Sequence, residues 1–97
     1  MEGIKRVEII VDRSGLEEVL DLLESKKVSG YTVIEKVQGK GHRGVRDGLG
    51  LTDAFSNAMV IWYGRPEEFN HLIDPLREVL SEAGGICAIS DAEWLVH

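Results

Sequence analysis

Between residues 39 and 46 the chain reads Gly39-Lys40-Gly41-His42-Arg43-Gly44-Val45-Arg46, and this segment has the residue types and spacing best suited to chemistry. Lys36, Lys40, Arg43 and Arg46 place four positive charges between Glu35 and Asp47 with no acid among them, in a chain whose net charge is −6. Glycines let a backbone approach a ligand closely and turn its amides towards an anion. Arginine adds a planar, two-pronged donor matched to phosphate. Two readings fit these residues: a cradle for a small phosphorylated ligand, or a solvated loop whose charge is incidental. The segment is not a P-loop, because the GxxxxGK[ST] spacing is missing. Gly39-x-Gly41 does not open a Rossmann helix either, so a dinucleotide fingerprint is not expected.

Other reactive residues are scattered. His42, His71 and His97 lie too far apart in sequence to name a metal site, and the single Cys87 permits neither an internal disulfide nor a multi-cysteine metal centre. Cys87 sits in the apolar run Ile86-Cys87-Ala88-Ile89 and reads as a small buried hydrophobe. Asp12, Glu35, Asp47 and Asp53 have no nucleophile or orienting partner at recognisable spacing, so they read as caps or surface charges. Trp62 and Trp94 fall on predicted strands and read as core or interface anchors.

The elements that must position the basic segment follow from periodicity. Residues 4–11 alternate, with Val7, Ile9 and Val11 on one side and Arg6 and Glu8 on the other, which predicts a half-buried strand. Ser14 with Glu17 three residues on predicts a capped helix start, and Leu16, Val19, Leu20 and Leu23 carry its apolar stripe to about Lys26. Ser29-Gly30 is a break, and Tyr31 to Val37 is a second strand. From Gly39 to about Ser56 five glycines and no periodicity predict a long loop, a feature usually tied to function. Ala58 to Tyr63 is a continuous apolar run and a third strand.

Pro66 opens a second helix with Phe69, Leu72, Ile73, Leu76, Val79 and Leu80 as its buried stripe, which Pro75 should kink. Gly84-Gly85 ends that helix, and residues 86–96 form one long last strand or two short ones. The order β-α-β-β-α-β is the split βαβ, or ferredoxin-like, α+β pattern: one domain over residues 1–97, with both helices on one face of an antiparallel sheet. The uncovered face would carry Ile10, Ile34, Met59, Ile61, Tyr63 and Trp94, apolar enough to favour an oligomer. No apolar run nears the ~20 residues of a membrane span, and residues 1–8 lack a signal-peptide core, so the expected location is the cytoplasm. The acidic balance argues against nucleic acid as a partner.

The stretches Val28-Ser29-Gly30-Tyr31-Thr32-Val33, Gly39 to Arg46, Ala83-Gly84-Gly85-Ile86 and Ile89-Ser90-Asp91-Ala92-Glu93 together resemble the PII superfamily of signalling proteins. The chain looks closest to its PII-like regulators of inorganic-carbon uptake, the SbtB-type and carboxysome-associated proteins. The resemblance implies a homotrimer that is not an enzyme and holds an adenine nucleotide between subunits, with bicarbonate a candidate second ligand and no metal or other cofactor. It implies a T-loop between the second and third strands that docks on a membrane transporter or carboxysome-related target. Ser29, Gly30 and Thr32 would line the adenine and ribose, Gly39 and Gly41 the base of the T-loop, and Arg43 and Arg46 the phosphates. Gly84, Gly85 and Ile86 would close the site from a neighbouring subunit.

The chain also departs from the classical members. Residues 84–97 have neither the lysine nor the arginines that meet a triphosphate, which favours AMP, ADP or cyclic AMP over ATP. No tyrosine stands at the classical modification position, so uridylylation is not expected. Nor is redox control, because the cysteine-paired tail of some members is missing. The alternative class is a CutA-like metal-tolerance protein, or an enzyme acting on a phosphorylated small molecule. A charge-assisted arginine–phosphate bond contributes roughly 1.5–3 kcal/mol. Arg46→Ala is therefore expected to weaken adenine-nucleotide binding about tenfold to a hundredfold, Arg43→Ala similarly or less, and Lys36→Ala little. Calorimetric titration of each variant checks this, and unchanged affinity in the Arg43/Arg46 double mutant would refute it.

Overall fold

The computed structural model describes residues 1–38 and 57–97. Gly39, Gly41, Arg43, Arg46 and the rest of the predicted T-loop lie outside the described residues. Strand β1 (Gly3–Asp12) is followed by helix α1 (Arg13–Ser25), β2 (Thr32–Val37), β3 (Asn57–Gly64), α2 (Pro66–Asn70), α3 (Ile73–Ala83) and β4 (Ile86–Glu93). The strands form one antiparallel sheet in the order β2-β3-β1-β4, as the ferredoxin-like reading requires.

The alternation read in β1 decides which face is covered. Val7, Ile9 and Val11 are buried with Val60 and Trp62 of β3 on the side that takes the helices. Val19 and Leu23 of α1, Phe69 of α2, Leu72, and Leu76 and Leu80 of α3 complete this core. The Trp62 and Phe69 rings lie 6.3 Å apart in a tilted pair. Trp62 is thus a core anchor, although its buried indole N–H has no hydrogen-bond partner among the described residues.

Three local expectations are corrected. The cap of α1 is Asp12, whose carboxylate accepts the Ser14 backbone N–H at 2.9 Å. Strand β1 runs straight into the helix at Arg13, so the capping position falls on the last strand residue and not on Ser14. The predicted kinked helix is two helices, α2 and α3, separated at His71 and Leu72. Pro75 has no N–H to give to His71 and its ring would crowd that carbonyl, so a continuous helix fails at that point. In the first turn of α3 the missing donor costs nothing, because that N–H would have no intrahelical partner. Finally, β4 is one strand, but it ends at Glu93, so Trp94 lies outside it.

The helix ends explain several residues. The amides of Lys27 and Val28 bond back to the carbonyls of Glu24 and Leu23 at 3.0 and 3.3 Å, a Schellman closure with Lys27 at φ 56°. Lys36, also left-handed at φ 61°, sits where the β2–β3 register slips between Ile34 and Val37. At the end of α3, Gly84 takes φ 81°, and the amides of Gly84 and Gly85 both bond the Leu80 carbonyl, at 2.8 and 3.0 Å. A Cβ on Gly85 would lie 2.7 Å from Leu80 Cδ2 and 2.9 Å from the Ile10 carbonyl oxygen. Gly85→Ala is therefore expected to destabilise the fold by about 1–3 kcal/mol, the usual cost of overpacking. Urea denaturation measures this, and an unchanged midpoint would show that β1 and the α3–β4 turn are not in close contact.

Candidate functional site

The face of the sheet opposite the helices bears a continuous apolar row. Ile86 pairs with Ile10, Ile10 with Met59, and Met59 with Ile34, so four aliphatic side chains cross all four strands. Ile34 and Ile86, at the two edges, are 45% and 57% exposed. In the next rows Thr32 pairs with Ile61 and Arg6 with Tyr63. The Arg6 guanidinium lies beside the Tyr63 side chain and 2.7 Å from Glu8, and both partners, Tyr63 foremost, raise its pKa.

A cavity of about 280 Å³ opens at the β2 end of this face. Its walls are Ser29, Gly30, Tyr31, Thr32, Ile61, Tyr63 and Trp94. Three of the sequence-predicted site residues, Ser29, Gly30 and Thr32, therefore come together in one concave surface. Ser29, Gly30 and Tyr31 belong to no helix or strand, so their backbone groups are not committed to a sheet ladder. The Tyr31 hydroxyl donates to Glu24 at 2.8 Å, fixing this turn to the end of α1 and raising the tyrosine pKa.

Sequence reasoning places Ile61, Tyr63 and Trp94 on the open face but in no site. Their parity along the strands carries the first assignment. The second depends on the register that sets Ile61 beside Thr32, and on where the chain goes after Glu93. There the Trp94 amide donates to the Glu2 carbonyl at 2.9 Å, and its ring comes 5.6 Å from Tyr63 and 5.2 Å from His97.

The other predicted residues of the described chain lie elsewhere. Gly84, Gly85 and Ile86 sit at the start of β4, the opposite edge of the sheet from β2. Three strand spacings, about 14 Å at the usual separation, divide them from Thr32. One copy does not bring the two groups into a single pocket. A second cavity of about 250 Å³ lies between α3 and β4 and is lined by Phe69, Leu76, Leu80, Cys87 and Ile89 among others. Cys87 is half-buried there, and burial pushes its thiol pKa up. Among the described residues, no group of three or more His, Cys, Asp or Glu could hold a metal ion. No described helix is long and apolar enough to cross a membrane.

Solved structures share this architecture. The protein CPII from Thiomonas intermedia K12, bound to ADP and bicarbonate, matches with a TM-score of 0.77 and 26% identity, over 94% of this chain and 87% of that one. The same protein bound to ADP, AMP and bicarbonate matches with a TM-score of 0.76 and 23% identity, over 94% and 91%. A PII-like signalling protein from Thermus thermophilus matches at 0.69 and 18% identity, over 93% and 87%. No curated protein sequence matches significantly. The sequence pattern of the family described as nitrogen regulatory protein P-II spans residues 4–95, nearly the whole chain, and the protein belongs to that family.

Proposed function

We propose that this protein is a cytoplasmic, trimeric PII-like signalling protein without enzymatic activity, which senses an adenine nucleotide at three sites between its subunits. The observation that carries this reading is the separation of the two predicted halves of the site across the sheet. Ser29, Gly30 and Thr32 lie at the β2 edge and Gly84 to Ile86 at the β4 edge, so a second copy must supply the other half. The apolar row from Ile86 to Ile34 supports association, since an oligomer buries what one copy exposes. Closed symmetry repeats the site at every interface, and the family's trimeric habit favours three.

The ligand is AMP, ADP or cyclic AMP in preference to ATP. Residues 84–97 hold no lysine or arginine for a third phosphate, which leaves Arg43 and Arg46 as the principal phosphate donors. The ligands of CPII, ADP with AMP and bicarbonate, support both the nucleotide class and bicarbonate as a second ligand. Those ligands also support reading the protein as a regulator of inorganic-carbon uptake of the SbtB or carboxysome-associated type. In this reading residues 39–56 dock on a bicarbonate transporter or a carbon-concentrating component. Gly30 fits the same picture: a Cβ there would meet nothing within 4 Å, so the folded chain itself does not require glycine.

Calorimetry with AMP, ADP, ATP and cyclic AMP, with and without bicarbonate, tests the ligand. The expected result is binding without turnover and an ADP or AMP affinity about tenfold or more above that for ATP, the worth of one unmet charged hydrogen bond. Light scattering should give about three times 10.8 kDa. A monomer, or consumption of the nucleotide, would overturn the proposal.

A further inference from the structure

The geometry points to Tyr63 and Trp94 as the stacking platform for the nucleobase, and so as residues that decide which base the site accepts. This rests on the nucleotide reading above and adds to it two side chains not assigned to the site from sequence. The seven residues lining the cavity include two large aromatic rings besides Tyr31, and none of the seven is charged. Arg6, the cation nearest in register, is already engaged with Glu8 and Tyr63. A phosphate therefore gains little from these walls, whereas a flat, neutral heterocycle finds π-faces and uncommitted backbone groups.

Both rings are held in place before any ligand arrives. Tyr63 is fixed by its strand and has Arg6 beside its side chain. Trp94 is fixed by the hydrogen bond from its amide to Glu2 and by its contact with Tyr63, 5.6 Å away at 48°. Tyr63 remains 38% exposed and Trp94 half-buried, so aromatic surface is still free to be covered. Gly30 lines the same cavity, where a Cβ on it would meet nothing within 4 Å, and Ser29 and Gly30 offer backbone donors and acceptors to the edge of a base. An aromatic wall facing an open polar turn is how proteins hold a base by its face and read its rim.

The test uses the full-length protein, its oligomeric state checked first, titrated with AMP and with UMP. The wild type is expected to prefer AMP, because a purine presents the larger stacking surface. Trp94→Ala and Trp94→Leu should weaken AMP binding about tenfold to a hundredfold and reduce the preference over UMP. Trp94→Phe, which keeps a ring, should retain most of the affinity. Leucine distinguishes stacking from apolar cover: a leucine variant that binds AMP as the wild type does overturns the platform. So does an alanine variant with unchanged AMP affinity, or one whose only change is its oligomeric state, since the pair would then serve subunit packing. A wild type that binds neither nucleotide overturns the nucleotide reading itself and the platform with it.

Discussion

Everything in this fold depends on β1 burying both its edges and one of its faces. It pairs with β3 on one side and β4 on the other, while Val7, Ile9 and Val11 anchor the layer of helices. With β1 and β3 in the centre, β2 and β4 have to be the outer strands. The turns at the ends of those outer strands, Ser29-Gly30 before β2 and Gly84-Gly85 before β4, are thereby held apart. In the proposed site these turns are two halves that meet only between copies.

The same arrangement leaves the second face of the sheet uncovered. The helices lie on one side only, so the row Ile86, Ile10, Met59 and Ile34 has no cover among the described residues. A domain of 97 residues has a small core, and burying a further sheet face between subunits is an economical way to enlarge it. The proposed assembly and the proposed base platform would then draw on adjoining surfaces, the aliphatic row and the Tyr63–Trp94 wall. The glycines differ in what the fold asks of them. Gly84 and Gly85 are required by a left-handed cap and by contact with Leu80 and β1, whereas nothing in the described chain requires Gly30.

Much of this is legible in the sequence because it depends on local rules. Period-two alternation in β1, the apolar run of β3, the stripe of α1 and the Gly84-Gly85 stop all mark elements without reference to the rest of the chain. What the sequence hides depends on how elements meet. Asp12 displaces Ser14 as the cap because β1 extends to the helix without a linker, which no propensity records. Pro75 reads as a kink, but its position relative to His71 decides between a bent helix and two helices. Trp94 reads as a strand residue, and its place beside Tyr63 follows only from the turn of the chain after Glu93 and its tie to Glu2. Of the candidate site, Ser29, Gly30 and Thr32 are suggested only by the family resemblance, and their neighbours on β3 need the register.

In the proposed assembly one ligand is held by opposite edges of two copies. The most direct measurement is a crystal structure of the protein grown with ADP. The expected result is nucleotide in each cleft between subunits, touching Ser29, Gly30 and Thr32 of one copy and the Gly84–Ile86 turn of the next. Nucleotide bound wholly within a single copy, or on a protein whose open sheet face stays free, would contradict it.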